Sequence, residues 1–232
     1  MFTMGPPIWS GSGSSLADVA LQCRFEGADG GTTFVNDAPG GATLTGLTGA
    51  VTSVAQKKFG SSCLKLAAAS GTGLQSTNSP TLYVRNNSPY TIELFVYFTS
   101  LSGFQYILEL VCDSGYRSLL AINSGGTTCF WKFTSSLPDN SVAHSFAINT
   151  WYHLAIVNEP GVNSKLYIDG VLKQTAANSA AGGSVTNSRL YVGNDSGLFA
   201  DYVRGYIDSV RLSRLVQYTG AFTPPAADFP SS

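Results

Sequence analysis

The dipeptide Asp169-Gly170 constrains this chain more than any other feature. It joins Lys165-Leu166-Tyr167-Ile168 to Val171-Leu172-Lys173, two short alternating runs. A two-residue connection of this kind is a type I′ hairpin turn, in which both central positions need φ > 0, and Asp-Gly supplies that. Just upstream, Trp151-Tyr152-His153-Leu154-Ala155-Ile156-Val157 is rich in aromatic and β-branched residues and reads as a strand. A strand, a loop and a tight hairpin within about 25 residues describe an antiparallel sheet.

The rest of the chain repeats the theme. Residues 18–26 alternate cleanly and read as the first strand, and residues 57–66 as an approach, a corner at Gly60 and a strand. Residues 70–80 read as loop. Thr91-Ile92-Glu93-Leu94-Phe95-Val96-Tyr97-Phe98 is nearly continuous apolar, as expected of a strand buried on both faces. Residues 106–112, 117–123 and 128–133 form a meander with short turns at Asp113-Ser114-Gly115 and Ser124-Gly125-Gly126. Residues 189–193 and 203–212 supply two more strands, and no helix is expected beyond a turn near residues 137–141. About a dozen short, regularly spaced strands predict an all-β antiparallel two-sheet sandwich.

Composition agrees. Charged residues are 12% of the 232, about half the usual share, while hydrophobic residues are 44%, enough for a large core. The net charge of −1, with no basic run, offers nothing to nucleic acid. No stretch reaches the ~18 apolar residues of a membrane helix. The N-terminus lacks the basic and apolar regions of a signal peptide, so synthesis and folding in a cytoplasm are expected.

Residues 1–17 read as an extended arm, residues 18–222 as one domain, and residues 223–232 as a Pro-rich tail that cannot continue a ladder. The arm is rich in Gly, Ser and Pro yet carries Phe2, Ile8 and Trp9, which suit docking, either onto its own domain or onto a partner subunit. The four cysteines (23, 63, 112 and 129) form no C-x-x-C and are not at ligand spacing from His144 or His153, so zinc is not expected. Cys23 shares parity with Leu21 and Phe25, whereas Cys63 shares that of Lys65. A bridge between them is awkward, and free, buried thiols are expected.

Seven segments, in order, resemble the laminin-G-like domains of the concanavalin A-like jelly-roll superfamily, particularly the versions found in bacteriophage tail and virion proteins. They are Cys23-Arg24-Phe25-Glu26-Gly27 with Thr33-Phe34-Val35-Asn36-Asp37; Gln56-Lys57-Lys58-Phe59-Gly60; Tyr90-Thr91-Ile92-Glu93-Leu94-Phe95-Val96; Trp151-Tyr152-His153-Leu154-Ala155; Leu166-Tyr167-Ile168-Asp169-Gly170; Gly205-Tyr206-Ile207-Asp208-Ser209-Val210-Arg211; and Tyr218-Thr219-Gly220-Ala221-Phe222-Thr223-Pro224-Pro225. The resemblance implies a jelly roll and a non-enzymatic structural or adhesive part exposed on a virion, homo-oligomeric, assembled with other virion proteins through the arm. The alternative it carries is a lectin-like module that recognises a host-surface glycan.

Individual residues bear on those roles. A glycosidase on this fold needs two carboxylates on one strand face. Glu93 stands alone, and Glu109 shares parity with Asp113, but Asp113 falls in a turn; catalysis is not expected. Asp208 has the parity of Val210 and Leu212, which aims it inward as a structural carboxylate, and Arg211 would reach it only through a bulge. His153 is expected to pack rather than to catalyse. No cofactor is expected. Calcium sites occur in laminin-G-like relatives, and Asn194, Asp195 and Asp201 could supply some of the oxygens one needs. The best glycan-binding cluster is Tyr116 and Arg117 with Trp131, Asp139 and Asn140, weighed against Trp131 being core.

Overall fold

The computed structural model describes residues 16–67, 69–82, 88–112, 117–132, 140–177, 187–197 and 201–230. Among them are fifteen strands in two antiparallel sheets and two short 3-10 turns, Leu16–Asp18 and Pro80–Leu82. The first sheet runs β13 (Val171–Ala177), β12 (Asn163–Ile168), β11 (Trp151–Glu159), β6 (Tyr90–Phe98), β15 (Gly205–Ser213), β4 (Cys63–Leu66), β3 (Ala50–Ser53). β4 pairs with residues 205–207 of β15, and β1 (Val19–Cys23) takes the other end of that strand. The second sheet runs β10 (Asn140–Ala143), β9 (Thr128–Lys132), β8 (Arg117–Ile122), β7 (Gln105–Cys112), β14 (Ser188–Val192), β5 (Leu74–Ser76), β2 (Leu44–Gly46). This is the all-β sandwich expected, and the hairpin is as read: Asp169 and Gly170 both have positive φ, 51° and 73°.

The core lies between the sheets. Ile92, Leu94, Val96 and Phe98 of β6 and Leu154 and Ile156 of β11 face Leu108 and Leu110 of β7, Leu120 and Ile122 of β8 and Trp131 of β9, in one buried cluster. β6 is buried on its other face too, but not by a helix. Residues 214–230 run back across the outside of the first sheet as a strap. Gln217 N–H donates to Thr91 Oγ1 (3.1 Å), Phe222 N–H to the Gly170 carbonyl (2.9 Å), and Gln22 Nε2 to the Pro230 carbonyl (2.8 Å). Val216, Tyr218 and Phe222 pack there on Ala155, Val157 and Tyr167.

Two expectations fail, one at a bulge and one in a loop. Between Asp208 and Arg211 the register with β6 slips by one residue, and Ser209 takes φ = 50°. Asp208 therefore pairs with Phe95 and faces the strap side, not the inter-sheet core. Its Oδ2 accepts the backbone N–H groups of Lys58 (2.9 Å) and Phe59 (3.1 Å), so it is a structural carboxylate, though aimed the other way. Of the turn expected near residues 137–141, Asn140 and Ser141 lie in β10, and residues 137–139 fall outside the described residues. The loop read over residues 70–80 contains β5. All four cysteines are free and buried. Cys23 packs into the core cluster, and the Cys63 thiol donates to the Gln56 carbonyl.

Candidate functional site

The outward face of the second sheet is laid down by the meander β7–β8–β9. Alternation puts Leu120, Ile122, Cys129 and Trp131 inward, so Ala121 and Phe130, which pair directly, point outward. The next residue in that row is Tyr106. By parity with Leu108 and Leu110 it would point inward, but a register slip between Tyr106 and Leu108 inserts Ile107 and turns it out, opposite Ala121. Ser141 of β10 closes the row beyond Phe130. Phe104, just before β7, lies against both rings: centroids are 5.3 Å from Tyr106 and 5.4 Å from Phe130. All three rings are partly exposed.

Polar and cationic groups border the rings. Tyr202 bridges Tyr106 on the side away from β8, and the Arg204 guanidinium lies 4.3 Å over the Tyr202 ring. The next row of the face reads Lys132, Leu119, Glu109, Tyr191. Glu109 is fully buried; its Oε1 accepts from Arg117 Nη1 (3.1 Å) and its Oε2 from the Ser196 N–H (2.7 Å). Arg117 itself stays half exposed. The arrangement offers a stacking surface with donors around its edge, which is what a saccharide ring needs.

Trp131 is not part of that surface. It is fully buried, and its Nε1 donates across the sandwich to Gln174 Oε1 of β13 at 2.6 Å, so no sugar can stack on it. Asn140 pairs with Trp131 on the edge strand, and Arg117 lies on the same sheet as the aromatic cluster. Tyr116, Asp139, Phe2, Ile8 and Trp9 lie outside the described residues. Sequence reasoning missed Phe104, Tyr106, Phe130, Tyr202 and Arg204. The signal for Phe130 was available: if Trp131 is core, its neighbour in the strand must face out.

Of the carboxylates considered for catalysis, Asp113 lies outside the described residues, and Glu93, Glu109 and Asp208 accept hydrogen bonds from protein groups. Glu93 is fully buried and accepts from Arg211 Nε (2.9 Å) and Nη2 (2.6 Å) and from the Tyr218 hydroxyl (2.7 Å), with His153 Nε2 3.1 Å away. Burial alone would raise its pKa; the His153 contact, the Arg211 charge and the Tyr218 hydroxyl outweigh that and hold it down at about 2. Asp208 behaves oppositely. Burial raises it to about 7 despite the two backbone donors. Among the described residues, no group of three or more His, Cys, Asp or Glu is gathered to hold a metal. Asn194 is fully buried, and Asp195 Oδ2 accepts the Gly197 N–H at 3.2 Å.

Residues 69–216 match the laminin-G-type family of the concanavalin A-like lectin/glucanases superfamily. The chain belongs to that superfamily. No curated protein sequence matches this lectin/glucanase-superfamily chain. Among solved structures it is similar to the binding domain of botulinum neurotoxin serotype G (TM-score 0.64, 14% identity), covering 85% of this chain and 48% of that one. It is similar as well to the binding domain of paraclostridial mosquitocidal protein 1 (TM-score 0.65, 13% identity; 87% and 50%). The chain thus spans about half the length of these binding domains. A match of nearly full length to both partners is domain 4 of AbnA, a GH43 extracellular arabinanase from Geobacillus stearothermophilus, solved with arabinotriose (TM-score 0.61, 18% identity; 90% and 95%). At these identities the likenesses establish the jelly-roll fold of the superfamily chain.

Proposed function

We propose that this chain is a non-enzymatic carbohydrate-binding adhesion module that grips a glycan on the outward face of the second sheet. The observation that carries the reading is the Phe104–Tyr106–Phe130 cluster. Phe104 touches both Tyr106 and Phe130, and all three rings stay partly exposed on a sheet face, bordered by Arg117, Lys132, Tyr202 and Arg204. Two of them, Tyr106 and Phe130, face out although their strands bury large residues on the other side. Domain 4 of the arabinanase, of matching size, holds an oligosaccharide, which supports the ligand class. Binding rather than hydrolysis is supported by the carboxylates Glu93, Glu109 and Asp208, which are all fully buried and accept hydrogen bonds from protein donors. Exposure on a virion surface, with the arm of residues 1–17 docking a neighbouring subunit, belongs to the same proposal and rests on the seven resembling segments.

A glycan array probed with the full chain, with and without calcium, tests it. The chain binds a subset of glycans, and Tyr106→Ala and Phe130→Ala lose that binding while remaining folded. Silence across the array, or binding untouched by both variants, overturns the reading.

A further inference from the structure

A second aromatic row lies on the opposite side of the sandwich. Trp151 of β11, Tyr97 of β6 and Tyr206 of β15 stand directly across from one another on three neighbouring strands, and Lys65 of β4 continues the row. The ring centroids are 5.4 Å apart from Trp151 to Tyr97 and 5.9 Å from Tyr97 to Tyr206, with tilts of 53° and 72°. One row deeper, His153 is sealed by the strap, with the Phe222 ring 5.7 Å away. The Trp151 row lies beyond that cover, and all three of its rings are partly exposed. Two local features hold it in place. Gly205 (φ = 155°) lets β15 close on β6 where a Cβ would strike the Tyr97 carbonyl. Exposed Asn149 (φ = 60°) accepts the Tyr97 hydroxyl at 3.3 Å.

The cations around this shelf are lysines. Lys65, Lys57 and Lys58 are exposed, and the Lys58 ammonium stands 5.4 Å over the Phe95 ring and 5.8 Å over Phe59. None of the three has an ion-pair partner among the described residues. The carboxylates of the adjoining loops are turned to backbone: Asp29 accepts the Val54 N–H (3.1 Å) and Glu26 the Ser61 N–H (2.9 Å). Aromatic faces suit the C–H face of a sugar, and exposed ammonium groups without an ion-pair partner among the described residues suit a carboxylate on it.

We propose that the Trp151–Tyr97–Tyr206 row is a second carbohydrate site, distinct from the Phe104–Tyr106–Phe130 face, and that its ligand is an acidic oligosaccharide carrying carboxylate groups. The tilts make the row corrugated, which favours a short or branched saccharide over a flat ribbon. Two sites on opposite faces would let one domain bridge two glycan chains.

The test titrates the full chain with a short oligogalacturonide and with its methyl-esterified counterpart, followed by tryptophan emission and by calorimetry. The acid form binds, weakens as salt rises, and outcompetes the ester by about tenfold. Trp151→Ala and Lys65→Gln each weaken it by about tenfold, and Phe130→Ala leaves it unchanged. Lys65 is an exposed side chain, so Lys65→Gln reports on the site even if Trp151→Ala perturbs folding. No binding of the acid form, equal binding of the ester, or loss of binding only in Phe130→Ala overturns the proposal. A failure of the first face instead shows as Phe130→Ala binding every glycan as the parent does.

Discussion

Glu93 and Arg211 face each other across β6 and β15 on the side of the first sheet that looks away from the core, with Glu93 Oε1 held by both Nε and Nη2 of the guanidinium. The same carboxylate takes the Tyr218 hydroxyl from the strap and sits beside His153 of β11. One buried anion thus ties two strands and the C-terminal segment together. Phe229 then covers the Arg211 guanidinium at 4.0 Å, and Asp228 accepts the Ser209 hydroxyl at 2.6 Å. The strap is bound by specific polar contacts laid over a small apolar patch.

Breaking that anion's partnerships should be costly. Glu93→Ala leaves the Arg211 charge buried without its partner, and removing one half of a buried pair costs about 3–5 kcal/mol. The double variant Glu93→Met with Arg211→Met should lose less than Glu93→Ala alone, because no orphan charge remains. Urea denaturation of the three proteins checks this. A double variant as unstable as the single one would show that the strap, not the charge, sets the cost.

The pH dependence of stability follows from two opposed carboxylates. Glu93 releases its proton more readily in the fold than its ordinary 4.5, so its contribution is full above that pH and is lost as pH falls toward about 2. Asp208 holds its proton more tightly in the fold, so its contribution is full below 3.8 and is lost as pH rises through about 7. Asp228, also raised by burial, acts in the same direction as Asp208. The melting temperature should therefore peak in mildly acidic solution and fall on both sides. Asp208→Asn should flatten the alkaline limb and leave the acid limb in place. A melting temperature that rises steadily from pH 4 to pH 8 contradicts this.

Much of the fold was legible because its signals are local. The Asp169-Gly170 hairpin, the doubly buried β6 and the meander of β7, β8 and β9 each declare themselves within ten or so residues. Facing was harder. The side-chain period of a strand is two, so one inserted residue inverts everything beyond it. Ile107 does this before Leu108, and the Ser209 bulge does it after Asp208, which is why Tyr106 and Asp208 point opposite to what alternation implies. The Glu93 cluster was illegible for another reason: its partners lie 60, 118 and 125 residues away in sequence. Glu93 looked solitary because nothing within its own strand compensates it.

The hairpin turn also anchors the strap, and this can be tested at Gly170. Its φ of 73° disfavours any side chain, and a Cβ there would run into the Phe222 carbonyl oxygen. Gly170→Ala should cost more than about 1 kcal/mol and should speed tryptic cleavage after Arg214, where the strap begins. Asp169→Asn should stay within about 0.5 kcal/mol of the parent, since Asn tolerates positive φ. It also keeps an oxygen for the His153 N–H, which Asp169 Oδ1 accepts at 2.8 Å. Unchanged proteolysis in Gly170→Ala would mean that the strap is held by its other contacts alone.

Phe130 and Trp131 are neighbours in β9 with opposite duties, and exchanging their effects is the sharpest check on the candidate site. Trp131 is fully buried and donates to Gln174 on the facing sheet. Trp131→Ala should cost about 3–5 kcal/mol, and Trp131→Phe about 1 kcal/mol or more, because the hydrogen bond to the half-buried Gln174 is lost. Neither should change glycan affinity in the molecules that remain folded. Phe130→Ala removes a ring that touches only Phe104 among the aromatic rings of the described residues, a loss of about 0.5–1.5 kcal/mol in stability. Its glycan affinity should fall by tenfold or more, which corresponds to about 1.4 kcal/mol. Chemical denaturation and glycan titration of the same three variants separate the two duties. If Trp131→Phe weakens binding at unchanged fold while Phe130→Ala binds normally, the ligand does not sit on the outward face of the second sheet.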